Sequence, residues 1–305
     1  EISACLVGSE MCIRDREDVI IFNQFEEMGN VLWHYQVTGH AIAEAYESIK
    51  TPTSRFAGAC FTSGSAGTMS AGDYLKEQYP YSKLAVGEAL QCPTLLENGF
   101  GGHRIEGIGD KHVPWVHNVR NTDMVIDIDD EDSQNLLRLF NSEEGHKYLK
   151  EVAGVPEATI EQLSLLGISG IANVLCCIKF AKYYELTGDD VVATVATDSA
   201  VMYESRVKEL NEQQGNYSLL TAARDFSEHL HGIRTDNMAE LTYADRKRVH
   251  NLKYYTWVEQ QGKTVEELNA QWYDHDYWSG IHEQAKDLDK LITEFNARTG
   301  VAEKI

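Results

Sequence analysis

In the first third of the chain, short and nearly continuous apolar runs flank one longer amphipathic segment. The runs cover residues 55–62 and 83–88 and are rich in residues that favour strands. A glycine-containing stretch, Gly64–Thr68, follows the first run, and a helical pattern then extends over 69–79 until Pro80 stops it. Strand, glycine turn, helix and strand in this order predict a βαβ unit in a parallel sheet.

The pattern adds two further strands and a series of helices. Alternation at residues 123–128 predicts one strand, and a valine-rich run at 190–197 predicts a buried parallel strand. Beyond residue 205 no run of strand formers is convincing, so we expect only helices there. The predicted helices cover 37–50, 130–151, 157–166, 170–187, 201–213, 218–230, 242–261, 264–272 and 279–298. The chain should therefore be an α/β domain followed by an α-helical C-terminal extension.

The composition excludes several classes of function. The 305 residues carry 27 Lys and Arg against 48 Asp and Glu, a formal net charge of −21. Binding to nucleic acid or anionic lipid requires clustered basic residues, so this acidity argues against both. No stretch approaches the roughly 18 consecutive apolar residues of a membrane helix. We expect neither nucleic acid nor a membrane as partner, and a change of composition near residue 205 supports a boundary there.

The first residues do not resemble the rest of the chain. Residues 4–15 resemble a translated sequencing-adapter string, so we expect 1–16 to be non-native and the native sequence to begin near Glu17. A short N-terminal strand is the alternative interpretation. The cysteines outside residues 1–16 lack the spacing of metal or redox sites, which predicts free thiols in a reducing, cytoplasmic protein. They are Cys60, Cys92, Cys176 and Cys177.

The turn Gly64–Thr68 is the strongest local signal for a binding site. Glycines allow backbone N–H groups to approach an anion closely, and the following helix adds the positive end of its dipole. A plain tight turn is the alternative. A dinucleotide site would need a glycine pattern that fails here at its second position, and no Walker lysine follows Thr68. An isolated monophosphate therefore fits better than a pyrophosphate or triphosphate.

Five segments, in the same order, resemble the fold type II pyridoxal-phosphate enzymes, that is, the tryptophan synthase β-like superfamily with cysteine synthases. Asn23–Glu26 with His34–Gly39 resembles the NQF…HY..TTG segment of these enzymes, and the turn Gly64–Thr68 resembles their GTGGT phosphate cup. The other three are His103–Pro114 (H.I.GIG…P), Gly167–Ala172 (GISSGAA) and Thr197–Tyr203 (PDS…Y). The resemblance implies a three-layer, parallel-sheet cofactor domain over residues 17–205. The predicted C-terminal extension, residues 206–305, lies outside the common core of the family.

The resemblance also implies a role for individual residues. It implies that the backbone of the turn holds the phosphate of pyridoxal 5′-phosphate and that Ser199 lies against the pyridine nitrogen. It places Gln24 on the substrate side and Gly107 close to the cofactor; a surface amide and a loop glycine are the plain alternatives. The turn residues are Gly64, Ser65, Ala66, Gly67 and Thr68. No metal site is implied.

Several features depart from the family pattern. Ala66 replaces a glycine of the cup, and Thr197 replaces the usual proline. The family's Schiff-base lysine, in an SxKDR-like motif, and its SGNTG-like substrate loop are absent, and the first lysine of the chain is Lys50. We therefore expect that most of the small N-terminal domain is missing from this sequence and that the chain as given is inactive.

The resemblance implies that the intact parent is a lyase or β-replacing transferase acting on a small amino acid, as a homodimer. An ammonia-lyase or the β subunit of an amino-acid thiolase is an alternative within the superfamily. A non-catalytic cofactor- or nucleotide-binding module is the alternative from another class. In the extension, aromatic residues alternate with possible metal ligands, and packing against the cofactor domain or a dimer mate is preferred to a metal site. They are Trp272, Tyr273, Asp274, His275, Asp276, Tyr277, Trp278 and His282.

Overall fold

The computed structural model describes residues 21–301, so the segment interpreted as non-native, residues 1–16, lies outside the described part. The strands are β1 (Arg55–Thr62), β2 (Lys83–Ala89), β3 (Met124–Ile128), β4 (Asp190–Ala193) and β5 (Met238–Glu240). The helices before residue 200 are α1 (Met28–Trp33), α2 (His40–Ile49), α3 (Met69–Gln78), α4 (Thr94–Glu97), α5 (Asp130–Phe140), α6 (Glu143–Glu151), α7 (Glu157–Gln162) and α8 (Ile168–Tyr183). Those after it are α9 (Glu204–Gln214), α10 (Leu219–Asp225), α11 (Tyr243–Lys253), α12 (Val265–Tyr273), α13 (Tyr277–Glu283) and α14 (Ala285–Thr299).

Short 3₁₀ and π segments connect or extend these helices. A π segment joins α1 to α2, so the helix predicted at 37–50 begins earlier than its sequence pattern suggests. The 3₁₀ segments are Val119–Asn121, Leu163–Leu165 and Ala200–Tyr203, and the π segments are His34–Gly39, Phe226–His231 and Tyr254–Val258.

The sheet has the order β4-β1-β2-β3-β5. Strands β4, β1, β2 and β3 are parallel, and β5 pairs antiparallel with β3. The predicted βαβ unit is confirmed, because β1, the turn, α3 and β2 follow one another as the pattern indicates. The carboxyl ends of the four parallel strands consequently lie at one edge of the sheet.

Two predictions about strands were wrong. Strand β5 lies beyond residue 205, where we expected only helices; it has three residues, too few for a periodic pattern to reveal it. Strand β4 ends at Ala193 instead of Thr197 and is half-buried instead of buried. It lies at the edge of the sheet, so it lacks a neighbouring strand on one side.

Helices cover both faces of the sheet, as the three-layer prediction requires. One apolar cluster joins β1–β3 to α5 and α8 through side chains such as Ile126, Leu137 and Phe180. A second cluster joins the opposite face to α2, α3 and α11, with Val86 and Leu75 fully buried. The described cysteines are free thiols, and Cys176 is completely buried in the first cluster.

The extension packs tightly on the α/β domain and is not a separate helical unit. Trp278 lies in an apolar cluster with Val31, Leu32 and Val116, which agrees with the packing role predicted for its aromatic residues. The ammonium group of Lys253 is fully buried and donates hydrogen bonds to the carbonyls of Trp115 and His117. Among residues 21–301, no helix combines the length and apolarity that a bilayer crossing requires.

Candidate functional site

The turn Gly64–Thr68 leaves the carboxyl edge of the sheet directly after β1 and leads into α3. Its five backbone N–H groups donate no hydrogen bond to any described residue, and they lie at the positive end of the α3 dipole. Ala66 holds the left-handed conformation, with φ 62°, that glycine adopts without cost. The turn thus presents successive donors of the kind that bind a phosphate group.

The loop that contains Gly107 lies directly against this turn. A Cβ atom added to Gly64 would approach the carbonyl oxygen of Gly107 to 2.9 Å. The N–H of Gly109 donates to the carbonyl of Ser63 at 2.8 Å, which fixes the loop beside the turn. Gly107 and Gly109 both have positive φ, at 87° and 77°. The structure therefore brings together two segments that the sequence predicted for one site.

Asn30 lies outside the five predicted segments and connects the first of them to the turn. Its Nδ2 donates to the carbonyl of Gln24 at 3.0 Å and to Oγ of Ser65 at 3.2 Å. A Cβ at Gly67 would lie 2.2 Å from the amide oxygen of Asn30, so a larger residue there would have to displace the Asn30 side chain. The side chain of Gln24 itself is exposed, and the link runs through its backbone.

Asn173 performs a similar function between β1 and the segment that follows β4. Its Oδ1 accepts from the N–H of Thr62 at 2.7 Å, and its Nδ2 donates to the carbonyl of Val195 at 2.8 Å. No sequence pattern singles out this residue, because a buried asparagine on an apolar helix has many possible partners. It holds the chain that leads to Ser199 at the same edge as the turn.

The last two segments of the predicted site meet at the N-terminus of α8. Gly167 donates its N–H to the carbonyl of Asp198 at 3.0 Å, and the hydroxyls of Ser169 and Thr197 lie 3.0 Å apart. Segments 167–172 and 197–203, which are far apart in sequence, are therefore in contact. The glycine turn and segments 103–114, 167–172 and 197–203 assemble around one edge of the sheet, and residues 23–26 are joined to them through Asn30. The second half of the first segment, His34–Gly39, instead packs along α3, where Tyr35 contacts Tyr74 and Glu77.

Asp198 and Ser199 have different surroundings. The hydroxyl of Tyr203 donates to Oδ2 of Asp198 at 2.5 Å, and burial together with this hydrogen bond raises the pKa of Tyr203. The carboxylate of Asp198 is therefore engaged within its own segment. Ser199 is half-buried and precedes a 3₁₀ turn, and its carbonyl accepts from the N–H of Met202. Of these two side chains, only that of Asp198 is hydrogen-bonded to another described residue.

A buried carboxyl pair, Glu88 and Asp127, lies in neighbouring strands of the same sheet. Glu88 accepts hydrogen bonds from the N–H groups of Leu95 and Leu96 and so caps α4. Burial is the main cause that raises the pKa of both carboxyl groups, and the neighbouring charge of Glu88 raises the pKa of Asp127 further. Glu88 therefore acts as a structural cap of α4. The raised pKa values favour one proton held between the two carboxyl groups at neutral pH.

The metal interpretation of the extension gains no support. Within the described residues, no group of three or more His, Cys, Asp or Glu side chains is arranged to hold a metal ion. His275 and His282 instead line a cavity between α3 and α13, on the side of the domain covered by the extension.

Comparison with curated proteins identifies cysteine synthases among the relatives of this chain. A probable cysteine synthase of Bacillus subtilis is 30% identical over 183 residues, which are 60% of this chain and 51% of that protein. Cysteine synthase 3 of Caenorhabditis elegans is 27% identical over 187 residues, 61% of this chain and 48% of that protein. The chain spans about half the length of these relatives. No protein-family profile matches it.

Solved structures support the same fold. The O-acetylserine-dependent cystathionine β-synthase of Helicobacter pylori has a TM-score of 0.51 and 25% identity, covering 67% of this chain and 58% of that one. O-acetylserine sulfhydrylase isoform 3 of Entamoeba histolytica has a TM-score of 0.54 and 20% identity, covering 73% and 59%. The chain has the mixed α/β fold of cysteine synthase-like proteins, as the motifs predicted.

Proposed function

We propose that this chain is the cofactor-binding part of a pyridoxal-phosphate-dependent enzyme that eliminates or replaces the β-substituent of a small amino acid. The five N–H groups of Gly64–Thr68, which have no partner among the described residues and lie at the carboxyl edge of the sheet, carry this proposal. Similarity to cysteine synthases supports both the cofactor and the class of reaction. The free thiols of the described cysteines favour a reducing, cytoplasmic location.

In this proposal the turn binds the phosphate and the other segments orient the ring. The N–H groups of residues 64–68 hold the phosphate oxygens, and the dipole of α3 favours their charge. Ser199 faces the pyridine nitrogen with a neutral hydroxyl, while Gln24 and Gly107 border the substrate. When bound, the cofactor supplies an electron sink that permits loss of the β-substituent. The chain's own contribution is binding and orientation.

We further propose that these 305 residues hold the cofactor without a covalent bond and do not turn over substrate. The sequence contains no lysine in an SxKDR-like motif. Lys179 and Lys253, the two buried lysines on the described part of the chain, donate hydrogen bonds to backbone carbonyls. Both are thus engaged in the fold. The parent enzyme would then combine this part with a lysine-bearing small domain and form a homodimer.

A titration of the full chain with 4′-deoxypyridoxine 5′-phosphate tests the binding site. This analogue lacks the aldehyde, so surface lysines cannot capture it. We expect saturable quenching of its fluorescence that inorganic phosphate reverses. Gly64→Ala should weaken binding by about tenfold or more, because the new methyl group would press on the carbonyl of Gly107.

The matched control is Gly102→Ala, since nothing lies within 4 Å of a Cβ at that position. It should bind as the unmodified chain does. Equal loss of affinity in both variants, or saturable binding of the analogue that Gly64→Ala leaves unchanged, would refute the assignment of the turn.

A non-catalytic cofactor- or nucleotide-binding module is the second candidate, favoured by the missing lysine motif. Borohydride treatment of the full chain with pyridoxal phosphate should leave no stoichiometric pyridoxyl-lysine under either candidate. Tight binding of a nucleoside monophosphate in preference to the pyridoxine analogue would favour the module.

A further inference from the structure

A cavity of about 440 Å³ lies between α3 and the C-terminal extension. A neighbouring cavity of about 490 Å³ shares the side chains of Glu77, Ser279 and His282 with it. Helix α3 contributes Asp73 and Glu77 at helical spacing. The cavity begins more than one helical turn beyond Thr68, so it is separate from the glycine turn.

The floor of the cavity is polar and largely closed to solvent. Asp73 is 5% exposed and accepts hydrogen bonds from the side-chain amides of Asn118 and Asn121. His282 is 6% exposed, and its ring stacks on Tyr35 at 3.8 Å between centroids. Burial lowers the pKa of His282 to about 4 and raises that of Asp73 to about 7. The histidine is therefore neutral at pH 7.

Three polar atoms of this floor have no hydrogen-bond partner among the described residues. They are Nδ1 and Nε2 of His282 and Oδ1 of Asn118. Nε2 of His282 lies 3.8 Å from Oδ2 of Asp73, which is too long for a hydrogen bond. Buried polar atoms are almost always paired in folded proteins, because leaving them unpaired costs free energy. An unpaired group at the floor of a cavity suits a ligand that can complete it.

The walls carry both signs of charge. Lys76 is committed to Asp123 and to the carbonyl of Asn121. Arg120 donates only one hydrogen bond, to the carbonyl of Asp274, so most of its guanidinium donors remain available among the described residues. Glu77 accepts from the hydroxyl of Tyr35 with one carboxylate oxygen. A cation and an anion therefore face one small polar space.

We propose that this cavity binds a small zwitterion, a free amino acid. The carboxylate of the amino acid would pair with Arg120 and its ammonium group with Glu77. The side chain of the amino acid would point to the floor formed by His282 and Asn118. The site is distinct from the glycine turn and does not depend on the proposed function. Helix α3 connects the two, because it carries the turn at its N-terminus and Glu77 near its C-terminus.

Isothermal titration calorimetry of the full chain without pyridoxal phosphate tests this inference. Glycine and L-serine should bind with one site per chain. Acetate and methylammonium each carry only one of the two charges and should bind at least tenfold more weakly. Equal binding of acetate and glycine, or no heat from either amino acid at 20 mM, would overturn the proposal.

Two variants locate the site. Arg120→Gln should weaken glycine binding by at least tenfold, whereas Arg298→Gln, at an exposed position on α14, should not. His282→Phe keeps the ring stacked on Tyr35 and removes the unpaired nitrogens, so it should raise the melting temperature of the free chain while reducing the shift caused by L-serine.

Gly64→Ala distinguishes this site from the turn. It should leave amino-acid binding unchanged while it weakens binding of the phosphate analogue. Loss of amino-acid binding in Gly64→Ala, or its retention in both Arg120→Gln and His282→Phe, would contradict the location. Because the assay contains no cofactor, failure here leaves the proposed function untouched.

Discussion

The glycine turn and the cavity beside α3 present two different kinds of polar site on the two ends of one helix. At Gly64–Thr68 the donors are backbone N–H groups, and side chains serve only to hold the turn in place. In the cavity the polar groups are side chains from α3, the segment around Asn118 and the extension. A backbone site depends on a local motif, whereas a side-chain site depends on the packing of distant segments.

The largest effect on stability should come from weakening the contact between the extension and the α/β domain. Lys253→Met removes the ammonium group that donates to the carbonyls of Trp115 and His117 and to Oε1 of Gln271. The two carbonyls keep one other donor each, whereas Oε1 of Gln271 is left without one among the described residues. We expect a loss of ~3–5 kcal/mol in the free energy of unfolding, measured in urea. Lys208→Met, at an exposed position, should change stability little.

This variant also sharpens the comparison. Amino-acid binding should fall, because the cavity needs the extension, while the turn keeps its affinity for the phosphate analogue. A parallel loss at both sites would show that the two regions are not independent.

Asn173→Ala should have the next largest effect on stability, and it should affect binding at the glycine turn instead of the cavity. It removes both hydrogen bonds that join Thr62 to Val195 and leaves two backbone groups unpaired. We expect about 2–3 kcal/mol of destabilisation and a several-fold weaker affinity for the phosphate analogue. Calorimetry should show glycine binding unchanged; if glycine binding is lost instead, the bridge does not act locally.

Asp127→Asn should change the pH dependence of stability. The folded chain raises the pKa of Asp127, mainly by burial and then by the neighbouring Glu88, above its unfolded value of about 3.9. Between those two pKa values the folded state binds more protons than the unfolded state, so stability falls as pH rises. The variant should therefore be more stable than its parent at pH 8, by about 1–2 kcal/mol, and nearly equal at pH 4.

Chemical unfolding at the two pH values measures this difference. Asp289→Asn, at an exposed position, is the control. The same stability change at pH 4 and pH 8 would contradict a shared proton.

Ser199→Ala should have the smallest effect on stability and a modest effect on binding. It removes a hydroxyl that we place against the pyridine nitrogen, so the absorbance maximum of the bound analogue should shift. Asp198→Asn should leave that spectrum nearly unchanged, because Asp198 is engaged with Tyr203. If Asp198→Asn shifted the absorbance maximum more than Ser199→Ala, Asp198 instead of Ser199 would be the partner of the pyridine nitrogen.

The sequence predicts the parts of this molecule that depend on local patterns. Strand β1 and the start of α3 follow directly from an apolar run, a glycine turn and Pro80. The same holds for the turn itself, because its geometry arises from glycines and from the helix that follows. The contact between Gly64 and Gly107 could be anticipated only through the family resemblance.

Other features depend on tertiary packing and leave no local signal. Strand β5 has three residues and forms because β3 offers it a free edge. Asn30 and Asn173 are ordinary polar residues until folding places unpaired backbone groups beside them. His282 and Asp73 are 209 positions apart, and only the packing of α13 on α3 brings them together. Such pairs cannot be found by spacing along the chain.

Nuclear magnetic resonance of the ¹⁵N-labelled full chain tests the central claim most directly. On addition of 4′-deoxypyridoxine 5′-phosphate, the amide resonances of residues 64–68 should shift more than any others, and Ser199 should follow. The same compound without its phosphate should leave them in place. Saturable binding with these five amides unmoved would contradict the assignment of the turn as the cofactor's phosphate site.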